Sequence, residues 1–328
     1  MRSGLPTAVE SAPGGIEWFA WCGLAAVVSS TLTYLIARAA TAAGVLDHPN
    51  ARSSHSRPTP RGGGLAIVAV LLLAVAALAI RGVAGPVHGW WAVAGLLVVA
   101  VISGLDDIAT ISAPARLAAQ VLAAVLATMA AGPAQTIELG SLGTWDLGDA
   151  GWVLTVLWIV GMTNAFNFMD GIDGIAGLTA ALALGVFGCG AWLAGDAYGA
   201  AVAAAGASAA GGFLVWNWQP ARIFMGDVGS ASLGYAIAVL PLLAAEPHRR
   251  WLLPLTVVAM WPFILDTSLT LLRRLRNREN VFEAHRSHLY QRLVIAGWSH
   301  ATVAVLYGAA SLVAGVAALA ALVPRLPS

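Results

Sequence analysis

The chain has 328 residues, of which 59% are hydrophobic and only 10% are charged. A soluble globular domain carries roughly 25% charged residues, so this composition excludes a soluble protein and is typical of a chain that lies mainly in hydrocarbon. The net charge of +1 provides no basic field of the kind that binds nucleic acid.

A helix needs about 20 mainly apolar residues to cross a bilayer, and about ten segments of this chain meet that requirement. They predict an all-α polytopic membrane protein in which residues 1–328 form one integral membrane domain. A small extracytoplasmic hairpin is predicted at about 132–151, between the fourth and fifth spans. The predicted spans are roughly 18–42, 63–80, 90–105, 113–131, 152–168, 174–194, 198–216, 229–245, 251–272 and 300–323.

The arginines predict the orientation of these spans. Twelve of the 17 basic residues lie in the loops that follow odd-numbered spans or at the adjoining helix ends, and five lie elsewhere. The positive-inside rule therefore predicts that the odd loops are cytoplasmic and that both termini are outside. These five loops, called loops one to five, lie near 43–62, 104–113, 164–174, 216–229 and 273–299.

Loop one carries three arginines and two histidines beside a glycine triplet, Gly62–Gly64. Guanidinium groups and unhindered backbone amides can together hold a phosphate, which makes His55 and Arg61 candidate binding residues. The alternative is a positively charged flank with a flexible entry into the second span.

Loop two begins with Asp106 and Asp107 at the end of an otherwise apolar helix. Carboxylates at membrane depth are costly and usually functional. Helical neighbours point about 100° apart, so we expect one carboxylate to meet a metal or a basic group and the other a reacting proton. The alternative is that the pair caps the helix that begins near Ala113.

Loop three contains four polar residues and three glycines that each recur at every third position. On a helix, this spacing gives a polar stripe beside a stripe without side chains, a surface that a ligand can approach closely. Small-residue packing explains the glycines but not the polar groups in register with them. The residues are Asn164, Asn167, Asp170 and Asp173, with Gly171, Gly174 and Gly177.

Loop four places Asp227 before a predicted helix whose first turn contains Gly229 and Ser230. This geometry suits a metal ligand, or an N-cap beside a bound anion. Phe224 can stack on a base or lie at the membrane interface.

Loop five has His285, His288 and Arg292 at positions i, i+3 and i+7, which predicts one face of a helix. We expect them to contact phosphate or sugar rather than zinc, because a third zinc ligand at suitable spacing is missing. The arginines at 273–278 also suit anionic lipid. Asp266, within the ninth span, either pairs with an arginine or takes part in the site.

Together and in this order, the five loops resemble the polyprenyl-phosphate N-acetylhexosamine-1-phosphate transferases, a superfamily that includes the bacterial MraY and WecA enzymes. The resemblance extends from Asp47 to about Arg292 and implies an MraY-like fold. Its most specific parts are the Asp106-Asp107 pair, the run from Asn164 to Gly174, and the segment from Phe224 to Ser230.

The resemblance implies roles for individual residues. Asp227 looks like the principal ligand of Mg²⁺, for which Mn²⁺ can substitute, with Asp107 as a second ligand. Asp106, Asp107 and Asp227 are the implied catalytic residues. The implied substrate-binding residues are His55, Arg61, Asn164, Asn167, Asp170, Asp173, Asn217, Phe224, His285, His288 and Arg292.

The implied reaction transfers an N-acetylhexosamine 1-phosphate from a UDP-sugar to undecaprenyl phosphate and releases UMP. It starts a lipid-linked glycan such as O-antigen, capsule or another cell-surface polysaccharide. MraY has consecutive histidines where this chain has His285-Arg286-Ser287-His288, which favours the WbpL-like branch over lipid I synthesis. WecA-like use of UDP-GlcNAc stays open.

The resemblance also places the protein in the bacterial cytoplasmic membrane, with its active site facing the cytoplasm and a homodimer left open. The rival class is a transporter. We disfavour it because the polar residues cluster at helix ends on one side, whereas transporters carry them near the midplane on both halves of an internal repeat.

Overall fold

The computed structural model describes residues 15–49, 57–138, 144–246, 248–280 and 285–322. Within these ranges the chain forms twelve helices and four short strands. In chain order they are α1 Gly15–Ala43, β1 Leu46–Asp47, β2 Thr59–Pro60, α2 Leu65–Ile80, α3 Gly89–Ile108, α4 Ala113–Ala131, β3 Thr136–Glu138, β4 Thr144–Asp146, α5 Ala150–Phe168, α6 Ile175–Leu193, α7 Ala197–Asn217, α8 Asp227–Leu243, α9 Arg249–Ala259, α10 Trp261–Arg276, α11 Leu289–Ile295 and α12 His300–Leu322.

The helices confirm an all-α polytopic membrane protein. Among the described residues, seven helices are long and apolar enough to cross a membrane, and the bent pair α9 and α10 brings the number to eight. Two shorter apolar helices are α2, with 16 residues, and α8, with 17 residues. Each of the ten predicted spans corresponds to one of these helices or to the bent pair.

The ninth predicted span is not a single helix. It bends by 65° at a break between α9 and α10. Met260 lies at the break, and Pro262 follows it in the first turn of α10. Proline has no N–H to continue the helical hydrogen-bond ladder, so the prediction of one continuous helix was wrong at this point.

Helix α8 lies at the centre of the bundle. Fifteen of its 17 residues are buried, and it packs against α3 and α5. The Tyr235 hydroxyl donates a hydrogen bond to the Ala92 carbonyl of α3 at 2.9 Å, and Trp158 Nε1 of α5 donates to the Ala238 carbonyl at 3.0 Å. These contacts fix the helix whose first residue is Asp227.

The predicted hairpin is present in its two strands. Strands β3 and β4 pair antiparallel, with Ile137 opposite Trp145, while its turn, residues 139–143, lies outside the described residues. A second pair, β1 with β2, joins the two ends of loop one through Leu46 opposite Pro60 and Asp47 opposite Thr59. The sequence did not predict this second pair.

Candidate active site

Asp107 caps a helix other than its own. It lies in the last turn of α3 with its side chain only 5% exposed. Its two carboxylate oxygens accept hydrogen bonds from the backbone N–H groups of Asp227, at 2.9 Å, and Val228, at 3.0 Å. Since the first N–H groups of a helix have no partner within it, Asp107 satisfies the start of α8 and thereby positions Asp227.

Two arginines neutralise the carboxylates at this point. Arg61 Nη2 lies 3.1 Å from Asp107 Oδ1. Arg116 Nη1 hydrogen-bonds Asp106 and lies 3.5 Å from Asp227 Oδ2. Both residues of the Asp106-Asp107 pair therefore meet a basic group, and the expectation that one of them also meets a reacting proton stays a prediction. Arg116 was not among the predicted site residues, although its position ten residues after Asp106 at the start of an apolar helix is a usable signal.

Asp170 adds a further carboxyl group. It lies between α5 and α6, where burial raises the pKa of its carboxyl group well above the usual range, and the charges of Asp227 and Asp107 raise it further. In the described part of the chain, four aspartates (106, 107, 170 and 227) thus share a site with two arginines. A cation bound among these carboxyl groups would oppose the rise in the pKa of Asp170 and favour the ionised forms, so the arrangement suits a bound cation.

The two asparagines at the end of α5 face different neighbours. Asn167 Nδ2 donates to the hydroxyl of Ser230 in the first turn of α8, at 2.9 Å. Asn164 Nδ2 instead donates to Gln120 Oε1 of α4, at 2.6 Å, and to the Val160 carbonyl. Asn167 therefore lies at the carboxylate cluster, whereas Asn164 joins two membrane helices.

Loop three is not one continuous helix. Helix α5 ends at Phe168 and α6 begins at Ile175, so Asp170 lies in a connecting segment and not on a polar stripe shared with Asn164. The predicted stripe was wrong because α5 ends before Asp170 and Asp173. Helix α6 begins only after Gly174, which adopts a left-handed conformation that glycine tolerates, with φ of 79°.

Asp173 and Asn217 connect loop three to loop four. Asp173 Oδ2 accepts from the Ala221 N–H at 3.1 Å, and its Oδ1 lies 3.4 Å from Nδ1 of His300. Asn217 accepts from the Gly174 N–H at 3.0 Å and donates to the Ile223 carbonyl at 2.9 Å. Both residues are buried, and the hydrogen bonds of their side chains hold loop three and loop four together. His300 was not among the predicted site residues.

The glycines of loop one do not offer their amides to a phosphate. The N–H groups of Gly63 and Gly64 donate to the carbonyls of Phe224, at 2.9 Å, and Met225, at 2.8 Å. A side chain at Gly64 would collide with the backbone of Gly229. The triplet therefore permits the starts of α2 and α8 to touch, and the phosphate interpretation of these two amides was wrong. His55 lies outside the described residues.

Phe224 lies beside this contact. Its backbone N–H donates to the Pro60 carbonyl at 2.8 Å, and its side chain is only partly buried. The structure therefore keeps Phe224 next to loop one, with part of its ring accessible.

Loop five also departs from the predicted helix. Helix α11 begins at Leu289, and His288 before it is extended, so His285, His288 and Arg292 do not share a helical face. His288 is buried 3.3 Å from Asp266, with the His285 ring 5.0 Å away, while Arg292 is exposed. Burial and the nearby Arg274 lower the pKa of His285 to about 4, so this ring is neutral at pH 7.

Comparison with known proteins decides the family. The model of glycosyl transferase family 4 matches residues 89–245. A probable undecaprenyl-phosphate N-acetylglucosaminyl 1-phosphate transferase of Bacillus subtilis (strain 168) is 30% identical over 271 residues, which cover 82% of this chain and 75% of that protein. The chain belongs to the polyprenyl-phosphate N-acetylhexosamine-1-phosphate transferase superfamily.

Other relatives of this transferase carry two kinds of name. A decaprenyl-phosphate N-acetylglucosaminephosphotransferase of Mycobacterium tuberculosis (strain CDC 1551 / Oshkosh) is 34% identical over 314 residues, covering 86% of this chain and 77% of that protein. A phospho-N-acetylmuramoyl-pentapeptide-transferase of Bacillus pumilus (strain SAFR-032) is 35% identical over 187 residues, covering 56% of this chain and 55% of that protein. The protein is thus an enzyme of the transferase class in a multi-pass membrane setting.

The residues at the cluster fit the magnesium ion that the superfamily implies. Mg²⁺ prefers oxygen ligands and is usually held by one or two carboxylates together with substrate phosphates. Of the described residues, no three His, Cys, Asp or Glu side chains are grouped to hold a metal on their own. Asp227, whose side chain is 31% exposed, is better placed as a ligand than Asp107, both of whose oxygens already accept N–H groups.

Proposed function

We propose that this transferase moves an N-acetylhexosamine 1-phosphate from a UDP-sugar to undecaprenyl phosphate or a similar polyprenyl phosphate. An oxygen of the lipid phosphate attacks the sugar-bearing phosphorus, and the bond from that phosphorus to the bridging oxygen breaks to release UMP. The observation that carries the proposal is the cluster of four aspartates and two arginines at the start of α8. The names of the relatives support a polyprenyl phosphate acceptor.

The cluster suits the electrostatics of this reaction. Two phosphate groups must approach one another, so neutralising their charge is expected to dominate the barrier. Arg61 and Arg116 are the cations already at the cluster, and Mg²⁺ held by Asp227 would supply further neutralisation on the diphosphate. Manganese is proposed as a substitute.

A strong base is not required. A phosphate monoester has a second pKa of about 6, so the acceptor is largely dianionic at neutral pH. Asp106 is paired with Arg116, and Asp107 is bonded to the start of α8. We therefore assign both aspartates to positioning the catalytic cluster rather than to proton abstraction.

A groove beside loop five supports a lipid acceptor. It has a volume of about 430 Å³ and lies between α10, α11 and α12. Its walls are mainly apolar; they include the buried Asp266 and carry the guanidinium groups of Arg273 and Arg292. Apolar walls with guanidinium groups suit an isoprenoid chain that bears a phosphate. The apolar lining includes Trp261, Leu265, Leu269, Leu293 and Leu306.

UDP-GlcNAc is the first donor to test. The match covers three quarters or more of the length of the relatives named as N-acetylglucosamine-phosphate transferases. It covers only 55% of the Bacillus pumilus relative. The sequence of loop five favours a modified N-acetylhexosamine of the kind used to start O-antigen or capsule. We further propose that the protein lies in the bacterial cytoplasmic membrane and takes its nucleotide sugar from the cytoplasm.

The test uses purified protein in detergent with undecaprenyl phosphate and a panel of UDP-N-acetylhexosamines. UMP release and a lipid-linked sugar are the expected products, and both should depend on the lipid. EDTA should stop turnover, and added Mg²⁺ should restore it. Absence of UMP with every donor of the panel would refute the proposed function, while full activity in EDTA would refute the metal.

A further inference from the structure

Gln120 of α4 makes a polar contact inside the helix bundle. The residue is only 8% exposed, and its Oε1 accepts a hydrogen bond from Asn164 Nδ2 of α5 at 2.6 Å. The same Nδ2 donates to the Val160 carbonyl at 2.8 Å. A buried amide on an apolar helix is costly unless it is hydrogen-bonded, so Gln120 and Asn164 fix the place of α4 relative to α5 at this depth.

Arg116 lies one helical turn before Gln120 on the same face of α4, because residues four apart on a helix are neighbours. Its guanidinium hydrogen-bonds Asp106, and its Nη1 lies 3.5 Å from Asp227 Oδ2. The side chain of Arg116 is 37% exposed, so surrounding atoms restrain it on one side only. Its distance from Asp227 therefore depends on where the first turn of α4 lies.

Asn164 continues the connection along α5 to the start of α8. Asn167 lies three positions after it, and Asn167 Nδ2 donates to Ser230 Oγ at 2.9 Å. Ser230 lies three positions after Asp227 in the first turn of α8. These contacts close a polar ring through three helices, to which each helix contributes two residues about one turn apart. The polar ring consists of Arg116 and Gln120 of α4, Asn164 and Asn167 of α5, and Ser230 and Asp227 of α8.

We propose that Gln120 is a positioning residue that, through its bond to Asn164, holds the first turn of α4 so that Arg116 stays beside Asp227. The inference rests on the proposed function, in which Arg116 neutralises charge as the two phosphates approach. Gln120 lies one turn further along α4 than Arg116, so it acts through Arg116 and not on the reactants.

The distance between Arg116 and Asp227 makes this position sensitive. At 3.5 Å, the two groups are already at the long limit of a hydrogen bond, so a shift of α4 by about 1 Å would separate them. A displacement of that size near a reacting centre can lower a rate by up to about a hundredfold. The other side-chain contact that α4 makes at this depth is the longer bond from the Tyr235 hydroxyl to the Ala123 carbonyl, also 3.5 Å.

Gln120→Met is the direct test, because methionine keeps the length of the side chain and removes the acceptor for Asn164. We expect kcat to fall about tenfold, while KM for the UDP-sugar and KM for the polyprenyl phosphate each change less than about twofold. The effect should fall on kcat because Arg116 opposes the charge that builds up as the bound phosphates approach each other. Gln120→Asn, which shortens the side chain, is the milder variant if Gln120→Met does not fold.

Ser29→Ala is the matched control. It removes a buried hydrogen bond between two other helices, from Ser29 Oγ of α1 to the Ala209 carbonyl of α7 at 2.7 Å. Neither of these helices carries one of the four aspartates or two arginines of the carboxylate cluster. Ser29→Ala should lower Tm to a similar degree and leave kcat and both KM values unchanged.

A double-mutant cycle tests whether Gln120 acts through Arg116. If it does, Gln120→Met should lower the kcat of Arg116→Ala by less than about twofold, because the residue that Gln120 positions has already been removed. Ser29→Ala should have the same small effect with and without Arg116. If Arg116→Ala has too little turnover for a second loss to be measured, hydrogen–deuterium exchange takes the place of kcat in the cycle.

This exchange measurement needs no turnover. Asp106 accepts a hydrogen bond from the Ile111 N–H at 2.7 Å and another from Arg116, so a displaced Arg116 should loosen the segment between α3 and α4. We expect faster exchange at residues 109–113 in Gln120→Met and in Arg116→Ala, with no further increase when the two are combined. Ser29→Ala should exchange there as the wild type does.

The possible failures are separable. A Gln120→Met protein with the kcat of the wild type, or one that loses as much kcat without Arg116 as with it, would overturn the positioning role alone. Wild-type exchange at residues 109–113 in Gln120→Met would also overturn it. A wild-type protein that releases no UMP with any donor removes the proposed function, and the exchange then still shows whether Gln120 holds α4 in place.

Discussion

At the scale of single residues, Asp107 and Asp227 have different surroundings although they lie side by side. Asp107 is almost fully buried and uses both oxygens on the backbone of α8. Asp227 contributes its backbone N–H to that contact and keeps its carboxylate partly exposed beside Arg116. Asp107 therefore positions the start of α8, and the carboxylate of Asp227 is available to a cation or a substrate.

This difference predicts different outcomes for two similar substitutions. Asp227→Asn should abolish UMP release while leaving Tm unchanged, because its side chain carries no helix-capping bond. Asp107→Asn should lower both, because the amide replaces one acceptor with a donor that faces a backbone N–H; leaving a buried polar group unsatisfied costs about 1–3 kcal/mol. Thermal unfolding in detergent and the UMP assay measure the two effects.

A separate result would contradict each of these two expectations. Normal turnover in Asp227→Asn would exclude this carboxylate as the metal ligand. An Asp107→Asn protein with the Tm of the wild type would show that the capping bonds to Asp227 and Val228 do not stabilise α8.

Some of the site residues could be predicted from the sequence, and others could not. Aspartates in apolar surroundings identified Asp106, Asp107 and Asp227, because charge in hydrocarbon needs a reason. The hydrogen-bond partners of those residues could not be predicted in the same way. Asp107 bonds to residues 120 positions away, and a capping contact between two distant helices leaves no local pattern. The same holds for His300 and Asp173, which are 127 positions apart.

At the scale of helices, the close approach of α2 and α8 holds loop one against loop four. Two backbone hydrogen bonds, from Gly63 and Gly64 to residues 224 and 225, join their starting points. The absence of a side chain at Gly64 permits this contact. Because Arg61 lies just before Gly64 and Asp227 just before Gly229, the contact also brings these two site residues together.

Gly64→Ala should therefore damage both stability and turnover. Its Cβ would overlap the backbone of Gly229, and overpacking a tightly packed contact costs about 1–3 kcal/mol. Gly161→Ala is a suitable control, because a Cβ there meets nothing within 4 Å and alanine favours a helix. Equal Tm values for the two variants would contradict the proposed contact.

Hydrophobicity predicted the apolar helices better than it predicted the breaks within them. The ten apolar segments are present because length and composition determine what can lie in a membrane. The break at Met260 precedes Pro262, and the segment between Phe168 and Ile175 ends at Gly174, so neither break is marked by a change in hydrophobicity. The three-residue spacing of loop three continues past the end of α5, and it therefore predicted a helical stripe that the structure does not have.

At the scale of the whole molecule, the short lengths of α2 and α8 have a consequence for the bilayer itself. A helix of 16 or 17 residues rises about 24–26 Å, less than the roughly 30 Å thickness of a hydrocarbon core. Both helices begin at the carboxylate cluster. Because α8 is surrounded mainly by protein, we expect the shortfall to place the cluster below the level of the headgroups.

Membrane thickness should then control the rate. In vesicles of increasing acyl-chain length, we expect turnover to fall in the thickest bilayers, while activity in detergent gives the reference value. A rate that is the same in every vesicle would contradict this expectation. A cluster below the headgroups would let the acceptor bring its phosphate to the aspartates while its isoprenoid chain stays in the membrane. The thickness of the surrounding bilayer would then help to determine the rate.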